Sequence, residues 1–409
     1  MLDLVDILKK TEKQEVEQQK ITSVLFHQSE QCKGLVEEAF RFEGVTLPAI
    51  LQNTDEDIRQ HVREATIEIV IVELNLSKNV TEDMKRISHL LPNHASVIVI
   101  GSEDAISTIR NLKEMGFYYL FWPVSKVELI DFVQNVNDNR ERNSGLGKHR
   151  VAKRIAVWGS KGGVGATMLT AEIAFELSTN KNSSCLIIDH NFSGGNLDIL
   201  MGVNQFEKRS VKPGSLTSNL DAAYALSMTK KVSKMLSVLA IESDDLDEVQ
   251  MKEYVRTLSK YLASQNNFII EDLSSSANSC SDLKYVAKEC DAMVMVIEPT
   301  VSSLREAART MRRLEDLDST MRILIVLNHT LCQKSSTVTQ HDVEKYLRQS
   351  VNVVCPHEPK LGRMILDGKH LYQQDYPISQ SLNKLTALLL GEAVEPSKAP
   401  LIKRLLKRA

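Results

Sequence analysis

The six cysteines of this 409-residue chain, Cys32, Cys185, Cys280, Cys290, Cys332 and Cys355, include no C-x-x-C pair. Neither a zinc site nor a disulfide framework is indicated, and they read as reduced thiols. No apolar run approaches the roughly 18 residues of a membrane-spanning helix. The opening MLDLVDILKK carries acids where a signal peptide needs a basic region, so a cytoplasmic protein is expected. An excess of positive charge is missing too. Fifty Lys and Arg against 53 Asp and Glu leave a formal net charge of −3, which makes nucleic acid an unlikely partner and confines any basic function to local segments. What remains is a globular composition, 43% hydrophobic and 25% charged, with the length of two domains.

Residues 1–20 begin with an apolar pattern and pass into KKTEKQEVEQQK, which predicts a solvated helical extension. From Ile21 short β-branched runs alternate with helical spacers, the pattern of an α/β fold on a parallel sheet. TSVLFH, TLPAIL, IEIVIVEL, ASVIVIGS and YYLFWPV read as five strands. Over residues 21–137 this order, and above all VIVIGSEDAISTIRNLKEMGFYYLFWPVSKVELIDFV, resembles a response-regulator receiver domain, a flavodoxin-like fold. The chemistry does not follow. A receiver requires an acidic pair after its first strand, an acceptor Asp after its third and a Lys before a proline after its fifth. Here those places hold His27 and Gln28, Glu73, and Trp122 before Pro123. Without metal-binding acids or an Asp nucleophile, the domain is expected to serve contacts. Residues 138–153, polar and carrying Gly145 and Gly147, predict a linker.

The run RIAVWGS leads into KGGVGAT and then MLTAEIAFELS, the strand, glycine loop and helix that cradle phosphate with backbone N–H groups and a helix N-terminus. Thr167, ending the loop, is placed to ligate Mg²⁺. Lys161-Gly162-Gly163-Val164-Gly165-Ala166-Thr167 resembles the deviant Walker A sequence K-G-G-x-G-K-[ST] of ParA/MinD ATPases, over a P-loop doubly wound domain spanning 154–395. The resemblance implies ATP and Mg²⁺ as cofactors, a homodimer, and a Lys161 that reaches the partner's phosphates. It implies phosphate contacts from Gly162 through Thr167 and the adjoining Met168. It also exposes a departure, because Ala166 stands where the family has its cis lysine.

CLIIDHNFSGGNLDILMG resembles the switch region of MinD, with Asp189 retained and Asn191 in place of the Asp that positions the attacking water. FIIEDL puts Asp272 at the Walker B position. DAMVMVIEPTVSSLREAART resembles the segment that follows, ILIVLNH puts Asn328 at the adenine edge, and Pro356 lies in the loop flanking the base. The implied metal shell is Thr167, Asp189 and Asp272. Glu271, on the opposite face of its strand from Asp272, reads as structural. Phosphoryl transfer depends on positioning and charge neutralisation, so Ala166 and Asn191 together predict nucleotide binding with slow or undetectable hydrolysis.

A receiver-like domain ahead of a ParA/MinD-like domain with an altered loop resembles the TadZ/CpaE family. The resemblance implies an accessory factor of a Tad (Flp) pilus secretion system, with Tad components as partners, located at a cell pole on the inner face of the membrane. The alternative reading is an active partition or division-site ATPase. In the tail, residues 396–409, PLIKRLLKRA sets Leu401, Ile402, Leu405 and Leu406 on one arc and Lys403, Arg404, Lys407 and Arg408 on the other. That arrangement predicts a basic amphipathic helix able to meet an anionic membrane through 400–409.

Overall fold

Alternation of apolar residues along five short strands builds the first of two compact units, residues 1–150. In the computed structural model these are β1 (Ser23–His27), β2 (Ala49–Gln52), β3 (Ile69–Glu73), β4 (Ser96–Gly101) and β5 (Tyr118–Phe121). The structure describes residues 22–64, 67–142, 150–203, 206–213, 221–276 and 279–392. The extension at 1–20 and the tail at 396–409, with its amphipathic 400–409, therefore lie outside the described residues. Between the strands run α1 (Glu30–Phe42), α2 (Asp55–Glu64), α3 (Val80–Ile87) and α4 (Ile106–Glu114), and α5 (Lys126–Arg142) follows the last. All pairings are parallel, in the order β2-β1-β3-β4-β5. Because side chains alternate across a strand, Val24, Phe26, Val70, Val72, Val97 and Val99 pack on one face, and Leu25, Ile69, Ile71, Ile98 and Ile100 on the other. Both faces are thus covered, as a parallel sheet requires.

Glu73, at the end of β3, is fully buried. Its carboxylate accepts from Gln28 N (2.6 Å), Ser29 N (2.9 Å), Ser29 Oγ (2.5 Å) and Asn75 Nδ2 (2.9 Å). Ser29 is also the N-cap of α1, accepting from Cys32 N, so the carboxylate sits on the positive end of that helix. The boundary expected at residue 137 falls inside α5, which runs on to Arg142. Val136 and Asn137 are buried, and Arg140 Nη2 pairs with Glu68 Oε1 at 2.9 Å, which holds the helix to the sheet past that point.

The second unit begins at Val151. Its strands are β6 (Lys153–Gly159), β7 (Cys185–Asp189), β8 (Arg209–Ser210), β9 (Lys230–Lys231), β10 (Leu236–Leu239), β11 (Ile241–Glu242), β12 (Phe268–Leu273), β13 (Ala292–Ile297), β14 (Arg322–Asn328) and β15 (Val353–Cys355). Eight form one sheet in the order β15-β14-β13-β6-β12-β7-β10-β9, parallel except for β9, while β8 and β11 pair separately. The helices used below are α6 (Ala166–Phe175), α7 (Glu248–Leu262), α8 (Cys280–Glu289), α9 (Val301–Asp316) and α10 (Pro377–Leu390). Helix α6 is buried on nearly all sides and lies with α10 against Ile155, Val157, Ile187, Ile270, Val294 and Val296. The other face of the sheet is covered by α7, packed on Leu186, Ile188 and Ile269, and by α8 and α9, packed on Trp158, Met293 and Met295. No helix among the described residues is long and apolar enough to cross a membrane.

Candidate functional site

The chain order reverses direction around β6: β7 lies on one side beyond β12, and β13 on the other. In open α/β sheets the carboxyl ends of the strands at such a point form the ligand crevice, and the glycine loop leaves β6 there. Two of its glycines are required by conformation. Gly163 has φ +80° and Gly165, the N-cap of α6, has φ +86°, the left-handed region that side chains disfavour. At Gly165 space is short as well, since an added Cβ would stand 2.5 Å from Asn328 Nδ2. At Gly162 and Gly163 it would meet nothing within 4 Å. The loop therefore presents an open, backbone-only surface in front of the N-terminus of a buried helix, the setting in which backbone amides and helix dipole attract anions.

Asn328, at the end of β14, donates from Nδ2 to Val164 O at 2.8 Å and is buried. The amide nitrogen holds the loop, because Gly165 lets it approach. Pro356 directly follows β15, whose Cys355 pairs with Asn328, so the two residues sit side by side at the sheet's carboxyl edge. Val164 is buried, and Ala166 and Met168, in the first turn of α6, are buried in the core. Lys161 forms an ion pair with Glu298 at 2.9 Å, and Glu298 also accepts from Thr330 Oγ1. Burial would raise the Glu298 carboxyl, but Thr330 and Lys161 outweigh it and hold it below the usual range.

The acids expected at a metal shell are brought together. Asp272 and Asp189 are register partners on adjoining strands β12 and β7, both buried. Asp272 Oδ1 accepts from Ser274 N at 3.1 Å, and Ser274 Oγ accepts from Thr167 Oγ1 at 2.9 Å. Burial first, and then the neighbouring Asp189 charge, push Asp272 up to about 6. Asp189 is likewise raised by burial, against the opposing pull of Lys208. Its Oδ1 accepts from Asn191 N at 2.9 Å, fixing the start of the turn that carries Asn191. A hydroxyl and two carboxylates crowded at a loop with open backbone amides are hard oxygen donors suited to Mg²⁺ beside a polyphosphate. The residues present therefore fit a Mg²⁺–nucleotide. When bound, Mg²⁺ would supply positive charge between these two carboxylates and the polyphosphate.

Two sets of partners escaped sequence reading. Lys208 reaches Asp189 Oδ2 at 3.3 Å, Gly194 O at 2.6 Å and Asn191 O, although in EKRSVK it reads as part of a solvated charge run. Behind the site, His190 and Glu271 turn to the opposite face from Asp189 and Asp272, as strand alternation dictates. Fully buried Glu271 meets His190 Nε2 at 2.6 Å, Arg154 Nη1 at 2.7 Å and the Tyr285 hydroxyl at 2.9 Å. Its burial acts to raise the carboxyl, but His190 and Arg154 outweigh it and keep it low. The neighbouring pairs Asp189–His190 and Glu271–Asp272 thus divide between the crevice face and a structural face.

No family model matches the chain, and no curated protein matches it. Among solved structures, a ParA family ATPase from Chlorobium tepidum TLS is similar over 58% of this chain and 99% of that one, with 21% identity and a TM-score of 0.51. The MinC:MinD cell division protein complex of Aquifex aeolicus is 23% identical over 60% of this chain and 99% of that one, at a TM-score of 0.46. A McdA–ATP complex from Cyanothece is 14% identical over 60% and 99%, at 0.47. The glycine loop, the strand order around it and the first of these likenesses agree: the second unit has the fold of a ParA-family ATPase.

Proposed function

We propose that this chain is an ATP-binding, dimerising localisation factor with weak or absent hydrolysis, of the TadZ/CpaE kind, which helps place a Tad (Flp) pilus secretion system at a cell pole. The loop carries the nucleotide reading. It has left-handed glycines, an open amide surface at a helix N-terminus, and Thr167 linked through Ser274 to a buried Asp272. ATP meets the backbone of Gly162 through Thr167, with Asn328 and Pro356 beside the base, and Mg²⁺ takes Thr167, Asp189 and Asp272. Hydrolysis is slow because position 166 is an alanine and position 191 an amide, which orients water but takes no proton. Lys161, held by Glu298 in the single chain, is released to the phosphates of a second copy.

The first unit is a receiver-like module without transfer chemistry. The strand order β2-β1-β3-β4-β5 supports the likeness, and a Glu73 already saturated by four donors leaves no acceptor. Residues 400–409 add an anionic-membrane contact that two copies strengthen together, giving a peripheral position at the inner membrane face. Equilibrium binding of a fluorescent ATP analogue, turnover, and light scattering with and without ATP test the core of this reading. It expects Mg²⁺-dependent binding, dimerisation lost in Lys161→Ala, and turnover far below about 1 per second, the low end of ordinary enzymes. Turnover at or above that rate supports the active partition or division-site ATPase instead. A fluorescent fusion that stays diffuse in the source cell, with pili unaffected by deletion of the gene, refutes the polar pilus role.

A further inference from the structure

Lys208 is an unusual lysine. It lies beside the two-residue strand β8, which pairs with β11 outside the main sheet, yet its side chain is only 15% exposed and its ammonium faces inward. All three of its partners are oxygens at the nucleotide crevice: Asp189 Oδ2 and the carbonyls of Asn191 and Gly194. Lysine is among the residues least often buried, and is buried when paired. The pairing here is with the very carboxylate that stands in register with Asp272.

The charge balance explains why a cation is held at this point. Asp189 and Asp272 are register partners near the ends of adjoining strands, both are almost wholly buried, and position 166 of the glycine loop next to them is an apolar residue, Ala166, packed into the core. Two buried carboxylates side by side need compensation, and position 166 does not supply it. Resting on the ATP-binding reading above, we propose that Lys208 is the cis cation of the nucleotide site, supplying toward the phosphates the positive charge that the loop lacks at Ala166. The ammonium pairs with Asp189 and ties down the turn at Asn191–Gly194. With Mg²⁺ held by the carboxylate, the ammonium would be free to meet the polyphosphate, the other anion of the crevice. A charge that other loops carry within the loop itself is here delivered from a separate segment. Position 208 also grips the turn bearing Asn191, so its engagement reports on whether a nucleotide is present.

The test is equilibrium binding of fluorescent ATP and ADP analogues, with Mg²⁺, to the full chain and to Lys208→Arg, Lys208→Met and Ala166→Lys/Lys208→Met. A charged hydrogen bond of ordinary strength gives Lys208→Met about tenfold to a hundredfold weaker ATP binding. Lys208→Arg stays within about threefold, and returning a lysine to the loop in the double variant restores most of the loss. A folded Lys208→Met protein that binds ATP like the unmodified chain overturns the proposal, as does a folded double variant with no rescue. If Lys208→Met fails to fold, acylation of lysines in the unmodified protein decides: ATP must change the reactivity of Lys208, and an unchanged rate overturns the role. Failure of the unmodified chain to bind ATP at all overturns the ATP reading itself, which the variants alone do not.

Discussion

Three single alanines in the glycine loop separate what the fold needs from what the ligand needs. At Gly165 the backbone is left-handed at φ +86° and an added Cβ stands 2.5 Å from Asn328 Nδ2. The conformation costs roughly 1–2 kcal/mol for a residue with a side chain. Displacing the Asn328 amide removes its bond to Val164 O, about 1 kcal/mol, and crowding adds about 1–3 kcal/mol. Gly165→Ala is expected to destabilise the second unit by about 3–6 kcal/mol in all. At Gly163 only the conformational part applies, φ being +80° with nothing within 4 Å, so about 1–2 kcal/mol is expected. At Gly162 neither applies, and stability should change by less than about 0.5 kcal/mol while ATP binding falls, because the methyl group enters the space where phosphate is read to sit. Urea unfolding followed by fluorescence of buried Trp158 in β6, in a Trp122→Phe background, measures the first effect, and nucleotide titration the second. Equal stability of Gly165→Ala and the unmodified chain refutes the reading of the loop geometry, and unimpaired ATP binding by Gly162→Ala refutes the placement of the phosphates.

Arg154→Met leaves Glu271 buried with one ionic partner fewer and is expected to lower stability by about 3–5 kcal/mol, seen as a fall in Tm that Lys153→Met, at an exposed neighbour, does not reproduce. Glu172 on α6 is pushed up to about 7 by burial, against hydrogen bonds from Leu371 N and Tyr372 N. A carboxyl raised from 4.5 in the fold is most favourable below 4.5, and its cost grows as pH rises toward 7, reaching about 3 kcal/mol for 2.5 pH units. Glu172→Gln should therefore flatten the loss of stability between pH 5 and pH 8 in urea unfolding, and an unchanged slope contradicts the assignment. Ala166→Lys alone is not expected to give rapid turnover, since Asn191 remains; adding Asn191→Asp is expected to raise the phosphate release rate above that of either single variant.

Where burial and period made a pattern, the sequence was legible. The five runs read in the first unit hold its strands, and KGGVGAT sits between a strand and a helix as read. Asp272 and Glu271 were separable because two neighbours on a strand face opposite ways. The short pieces around residues 209–242 gave too little pattern: β8, β9 and β11 are two residues each, and their pairing depends on where distant chain returns. For the same reason the partners of the site's charged groups were hidden. Nothing local to Lys161 points to Glu298, nor does EKRSVK point to Asp189. Such pairs are made by the convergence of loops at one edge of the sheet, and long-range closure leaves no mark on composition.

In the first unit, the bonds around Glu73 settle how that unit can vary in time. A phosphoryl group taken from a donor has a lifetime, and a unit that carries one is read by how much of it is modified at a given moment. Here the anion at the end of β3 is part of the covalent chain and its four donors are already engaged. It arrives with synthesis and leaves with degradation. The carboxyl group at the end of β3 is thus a permanent part of the unit's frame, as old as the chain itself, and its age is the age of the molecule.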